Sequence, residues 1–336
     1  MKRVVLSSGL READIRPPAL MSEFRRLSIR DAEQYLGGGA ALEPVACPAC
    51  GVDEPAPAFE RQGFTYQRCG RCASLYVSPR PPAEALARYY AESEASKFRV
   101  EHFSRDTAKA RRHHLLCSHA DWMGQLSDEA GPEGGGAYAD IESYSPEIFE
   151  EVARLAEFSA LYAVDPLLPP DPALKVNCCA DWRLPAPLAA VSAFEKIEHQ
   201  HDPLRLLLRM KDLLAPGGLL FLTTRTSSGF DLQVLGEHAA YIFVPEHLNL
   251  LSVEGLETLT RRAGLELIEL STPGQLDLQL VQAARAADPA LPLPPFIDYL
   301  LNHRDALAHE DFQAFLQKHR LSSHVRLAAR KPRKDE

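Results

Sequence analysis

Beyond residue 137 the apolar residues of this chain fall into short runs, separated by stretches in which they recur every three or four positions. The runs Ala137–Ile141, Ser159–Val164, Lys175–Cys179, Leu188–Phe194, Leu219–Thr224, Leu265–Leu270 and Val325–Ala329 have the length and continuity of buried strands. Between them, Ile148, Phe149, Val152, Leu155 and Phe158 form one helical stripe, and Leu204, Leu207, Leu208, Met210 and Leu214 form another. Ser145-Pro146 and Asp202-Pro203 are helix starts, each with an oxygen side chain at the N-cap and proline at the first helical position. Ala215-Pro216-Gly217-Gly218 is a stop, and Ser252 caps a helix that ends near Gly264. The alternation predicts an α/β domain over residues 137–336 with a mostly parallel, seven-stranded sheet, Ala137–Ile141 near its centre and Val325–Ala329 antiparallel at one side. Residues 275–320 interrupt the last crossing, and Phe296–Leu301 and Phe312–Leu316 predict helices inserted there.

The first 82 residues follow a different rule. Cys47-Pro48-Ala49-Cys50 and Cys69-Gly70-Arg71-Cys72 are two C-x-x-C pairs with 18 residues between them. Each pair sets two thiolates on one tight turn, so Cys47, Cys50, Cys69 and Cys72 can close a tetrahedron around a structural zinc ion. Ser74–Val77 then predicts a strand and Ser78-Pro79-Arg80-Pro81-Pro82 a stiff exit. Ala83 to Tyr90 opens a helical linker over residues 83–136, in which His113, His114 and His119 read as solvated positions on a basic stretch. Gly134-Gly135-Gly136 reads as a loose link to the first strand of the α/β domain.

Composition narrows the function. A formal net charge of −9 argues against general nucleic-acid binding, and the basic tail Arg330-Lys331-Pro332-Arg333-Lys334 reads as a solvated end. No run approaches the roughly 20 apolar residues of a membrane helix, and Arg11, Glu12 and Asp14 interrupt the start before a signal-length segment develops. Cys117, Cys178 and Cys179 have no partner pattern, and free thiols beside the paired ones predict a reducing, cytoplasmic location.

The segments Phe194–Pro203 (FEKIEHQHDP), Leu213–Thr224 (LLAPGGLLFLTT), Val244–Ser252 (VPEHLNLLS) and Arg261–Leu270 (RRAGLELIEL), in this order, resemble the class I S-adenosylmethionine-dependent methyltransferases, which have a Rossmann-like sheet. The cysteine pairs with SPRP resemble the amino-terminal zinc-binding head of saccharide and small-molecule members, and the segment from Thr272 resembles their longer carboxy-terminal form. The resemblance implies methyl transfer to a sugar-like or other small acceptor. It places Asp140 at the cofactor loop, Asp165 on the ribose hydroxyls, and Asp181 on the adenine amino group with Trp182 beside the ring. Phe194 and Glu195 would line the cofactor, while His199 and His247 would face the acceptor as acid/base candidates, with Glu198 orienting either. The alternative for both histidines is a structural hydrogen-bonding corner.

One segment departs from the family pattern. In Asp140-Ile141-Glu142-Ser143-Tyr144-Ser145-Pro146, the three positions where the family has glycine hold Glu142, Tyr144 and Pro146. Proline has no N–H for a ligand carboxylate. Tyr144 would crowd the methionine chain, and a carboxylate ~5 Å from the cofactor's own costs about 3 kcal/mol at an effective dielectric of ~20. Two functions therefore stay open: an S-adenosylmethionine-dependent methyltransferase, and a lapsed relative serving as a binding or scaffold subunit for a protein partner.

Overall fold

A computed structural model describes residues 10–37, 42–155, 157–185 and 187–333. Residues 1–9, which carry most of the reading of the chain start, and Lys334 of the basic tail lie outside the described residues. The strands, in chain order, are β1 (Pro55–Arg61), β2 (Phe64–Cys69), β3 (Leu75–Val77), β4 (Gly136–Ile141), β5 (Phe158–Val164), β6 (Val176–Cys179), β7 (Leu188–Phe194), β8 (Leu214–Arg225), β9 (Asn249–Leu250), β10 (Glu266–Ser271) and β11 (His324–Arg330).

Seven of them form one sheet in the order β10-β11-β8-β7-β4-β5-β6. Four parallel pairings, β7–β8, β4–β7, β4–β5 and β5–β6, make its body. β11 is antiparallel to both β8 and β10, so the sheet is mixed, and the antiparallel strand lies one place inside the edge. Apolar side chains bury on both faces, Tyr138, Phe149 and Phe221 in one layer and Val191, Leu222 and Leu327 in the other.

The helix starts divide. Asp202 caps Pro203–Leu213 by accepting from Arg205 N at 3.1 Å, and Ser252 caps Val253–Arg262 by accepting from Gly255 N at 2.8 Å. Ser145-Pro146 does not start a helix: the helix there is Ile148–Val152, and Ser145 Oγ accepts from Arg111 Nε at 3.3 Å instead. Leu155 falls beyond that short helix and Phe158 opens β5, because the chain must turn at once to reach the neighbouring strand. The insertion carries Pro295–His303 and Ala306–Lys318 at the expected places, and also Asp277–Ala287, which the sequence reading missed. Gly135 is not a loose link, since at φ +67 a Cβ there would lie 2.2 Å from the carbonyl of Glu157.

The residues between the cysteine pairs fold as the hairpin β1–β2, turning on Gln62 and Gly63 at φ 54 and 77. β3 extends this second sheet, and β9 from the α/β domain completes it in the order β1-β2-β3-β9. The cysteine module is thus sewn into the domain by strand pairing. Arg80 of the SPRP exit, fully buried, locks the seam by donating to the carbonyls of Val77 and His201 and to Asn249 Oδ1 at 2.9–3.2 Å.

Candidate active site and metal centre

Three neighbouring parallel strands end on an acidic residue in the left-handed region: Glu142 after β4 (φ 51), Asp165 after β5 (φ 49) and Glu195 after β7 (φ 52). Each backbone N–H makes a last bond to the adjoining strand, to Val164, Cys179 and Thr223 respectively, before the chain turns. A side chain other than glycine at such φ costs about 1 kcal/mol or more and concentrates at functional sites. Glu142 therefore takes a backbone shape that favours glycine, at one of the positions where the resemblance implies glycine.

A cleft of ≈ 600 Å³ opens at these strand ends, lined by Glu142, Tyr144, Asp165, Lys196 and His199. The helical segment 83–104, which the sequence reading treated as a linker, forms its other wall through Leu86, Tyr90, Lys97 and Val100. Tyr144 stands against the wall: its ring is held between the Lys196 ammonium, 3.7 Å from the centroid, and the Arg99 guanidinium, 4.1 Å away. Arg99 is itself tethered by Glu246.

Lys196 is 3% exposed and has no ion pair among the described residues. Burial pulls its ammonium down to about 7, with Glu142 opposing the shift and Arg99 adding to it. Asp140 lies deeper; burial raises it to about 6, and Ser192 donates to it, in turn bonded to the Tyr138 hydroxyl at 2.6 Å. Asp181 and Trp182 are not among the residues lining the cleft. Asp181 is exposed and accepts from Arg183 N at 3.1 Å, while Trp182 packs on the main core under the Arg209 guanidinium at 3.8 Å.

His199 borders both the cleft and a smaller cavity of ≈ 80 Å³ that also reaches Glu195, Glu198 and His247. Among the described residues Glu198 has no hydrogen bond to either histidine. It is 3% exposed and accepts from Thr224 Oγ1 at 2.8 Å, and Glu246 is the carboxylate beside His199, 3.8 Å from Nδ1. Burial, then the charge of Glu195, pushes Glu198 up to about 7. For Glu195 burial acts in the raising direction, but Arg111, 3.6 Å away, and Arg16 overcome it and hold the carboxyl far below its usual range. The two carboxylates are thereby driven apart, the pattern that marks acid/base assignments. Burial and nearby arginines depress both histidines, His247 to about 3, so both stay neutral. Phe194 packs on His119, ring centroids 4.7 Å apart, and His119 is buried where the sequence reading left it solvated. Arg16, Arg99, Arg111 and Arg225 also face these cavities. No sequence signal marked them, because they come from the amino-terminal arm, the helical segment and the end of β8 and meet only in the fold.

In the amino-terminal module the four cysteine sulfurs lie within 4.8 Å of one another. The Cys47–Cys72 and Cys50–Cys69 sulfurs are each 3.5 Å apart, close to the roughly 3.8 Å edge of a tetrahedron with zinc–sulfur bonds of about 2.3 Å. Cys47, Cys69 and Cys72 are buried, and the cluster could hold a metal ion.

The mixed seven-stranded sheet, with the cleft at the carboxyl ends of its parallel strands, is a Rossmann-like α/β fold. A family model described as "Methyltransferase domain" matches residues 49–270, and the chain belongs to that family. It is 33% identical over 156 residues to a "Ubiquinone biosynthesis O-methyltransferase" of Xylella fastidiosa, covering 44% of this chain and 59% of that protein. The same identity over 144 residues relates it to the protein of that name in Xanthomonas campestris, at 40% and 56% coverage. The chain thus spans under two thirds of the length of these relatives. Similar solved folds include an S-adenosylmethionine-dependent methyltransferase of Clostridium acetobutylicum, with TM-score 0.41, 8% identity and coverage of 68% and 98% of the two chains. The complex of the Haloferax volcanii Trm112 methyltransferase activator with a methyltransferase has TM-score 0.42, 15% identity and coverage of 68% and 93%. Among the described residues no helix is long and apolar enough to cross a membrane.

Proposed function

We propose that the protein transfers a methyl group from S-adenosylmethionine to an oxygen of a small-molecule acceptor, and that its four cysteines hold a structural zinc ion. The observation that carries the first part is the open cleft, onto which three adjoining strand ends bring Glu142, Asp165 and Lys196. These side chains fit the cofactor. Asp165 would take the ribose hydroxyls as a two-oxygen acceptor, Lys196 the carboxylate of the methionine end, and Glu142 its ammonium. The missing backbone contacts of a glycine loop would in this way be replaced by two charged side chains. S-adenosylmethionine supplies an electrophilic methyl group when bound.

The chain's own groups do the rest. Glu198, poised near neutrality in the adjoining cavity, accepts the acceptor's hydroxyl proton. Neutral His199, between cleft and cavity, orients that hydroxyl as a hydrogen-bond partner. Arg99, held by Glu246, fixes the Tyr144 ring in the cleft wall. An oxygen acceptor agrees with the names of the relatives; the arginine-rich cavity walls favour a compact polar acceptor, whether or not it is a saccharide.

The lapsed, scaffolding alternative draws its support from Glu142, Tyr144 and Pro146 in the cofactor loop. Calorimetric titration with S-adenosylmethionine and S-adenosylhomocysteine decides between the two. Micromolar binding that weakens in Asp165→Ala is expected, and no binding of either compound by the intact chain would leave the scaffold reading in its place.

A further inference from the structure

We propose that Arg16 anchors an anionic group of the methyl acceptor, a carboxylate or a phosphate, in the cavity it shares with Glu195 and Arg225. The proposal rests on the methyl-transfer reading and adds the chemistry of the acceptor to it. Two cavities, of ≈ 70 and ≈ 80 Å³, meet on these three residues. Arg16 enters from the turn between the helices Glu12–Ile15 and Pro18–Leu36 and has no ion pair or side-chain hydrogen bond among the described residues.

The charges nearby are already engaged. Arg225 binds Asp231 Oδ2 at 2.5 Å and lies over the Tyr241 ring at 4.2 Å, while Glu195 faces Arg111 at 3.6 Å. Arg16 is thus the cation in excess. Burial and then the charge of Arg225 lower its pKa despite the pull of Glu195, as expected for a guanidinium short of counter-charge. Arg16 is only half-buried, and what counts is its place in the cavity: an anion there would give its guanidinium the counter-charge it lacks.

A second observation points the same way. His119, 4% exposed, and His324 also line the smaller of these cavities, and His119 Nδ1 and His324 Nε2 are buried without partners among the described residues. Buried polar nitrogens are seldom left unpaired. Burial keeps both imidazoles neutral, so each can donate one N–H to an anionic oxygen while Arg16 supplies the charge.

Titration of the full chain saturated with S-adenosylhomocysteine against 4-hydroxybenzoate, phenyl phosphate and neutral 4-hydroxybenzamide tests the assignment. We expect one of the two anions to bind and the amide to bind about tenfold more weakly. Arg16→Gln should weaken the anion about tenfold and leave the affinity for S-adenosylhomocysteine unchanged, whereas Arg16→Lys should keep part of the anion affinity. The tighter of the two anions identifies the group as carboxylate or phosphate. Equal binding of amide and anions, anion binding indifferent to Arg16→Gln, or no anion binding at all overturns the proposal. If the wild-type chain does not bind S-adenosylhomocysteine, the methyl-transfer reading fails, and the same anion comparison without it still decides the Arg16 site.

Discussion

The hydroxyl of Tyr66, in the cysteine module, donates a 2.7 Å hydrogen bond to the carbonyl of His247, in the loop that walls the ≈ 80 Å³ cavity. The bond spans 181 residues of sequence and joins the cysteine module to the loop at the cavity. It is backed by the pairing of β3 with β9, two and three residues further along that loop. Loss of metal should therefore loosen Glu246 and His247 before it unfolds the main sheet. Treatment with a strong chelator, or Cys69→Ser, is expected to abolish methyl transfer while the far-ultraviolet signal of the α/β domain largely persists. Tyr66→Phe should keep the metal by elemental analysis and cost about 1 kcal/mol in stability. A chelated chain that is fully active would show the two halves to be independent.

Glu198 offers a separation of activity from stability. Its folded-state pKa of about 7 is above the usual value of 4.5, so the native state binds the extra proton between these two limits. Stability from this group is then fully present below about pH 4.5, falls as pH rises towards 7, and stays lost above it. Glu198→Gln removes that penalty. The variant should melt higher than wild type at pH 8, by the equivalent of about 1–3 kcal/mol, with little difference at pH 4.5, and should lose methyl transfer by about a hundredfold. A variant that keeps full activity would remove Glu198 from the role of base.

The pH profile of kcat/KM should be bell-shaped around neutrality. Its acid limb reports Glu198, which must lose its proton to act, and its alkaline limb reports Lys196, which must keep its proton to hold a carboxylate. Lys196→Met should weaken S-adenosylhomocysteine binding about tenfold and flatten the alkaline limb. Glu142→Gln should also weaken binding, the opposite of what glycine replacement in a crowded loop would do. Stronger binding by Glu142→Gly than by wild type would restore the crowding view of this segment.

Gly255 is a point of tight packing between the two modules. A Cβ there would lie 2.2 Å from Ser74 Oγ, which accepts from Ser252 N at 3.0 Å and neighbours Cys72 Sγ at 3.2 Å. Gly255→Ala is expected to destabilise the chain by about 1–3 kcal/mol through displaced packing, read as a lower melting temperature and easier removal of metal by chelator. An unchanged melting curve would mean that Ser74 yields freely.

How much of this was legible in sequence depends on how local the determinant is. The run Leu188–Phe194, the caps Asp202 and Ser252 and the two C-x-x-C turns are set by residues within a few positions of one another, and strand, helix starts and cysteine cluster appear where those residues stand. Ser145-Pro146 failed as a helix start because the same residues are claimed by tertiary contacts: Arg111 takes the serine hydroxyl, and the turn from β4 leaves room only for the short helix Ile148–Val152. The meaning of Glu142 and Tyr144 was likewise decided elsewhere. Read alone they crowd a ligand, but Lys196 and Arg99, 52 residues after and 45 before Tyr144, turn its ring into a wall and set a cation beside the carboxylate. The chain by itself determined the elements, their order and the clustering of the four cysteines, since periodicity and spacing act over a few residues. Only the tertiary structure decided which charges face one another in the cavities, because burial and a partner's field, which set protonation and binding, belong to no single stretch of sequence.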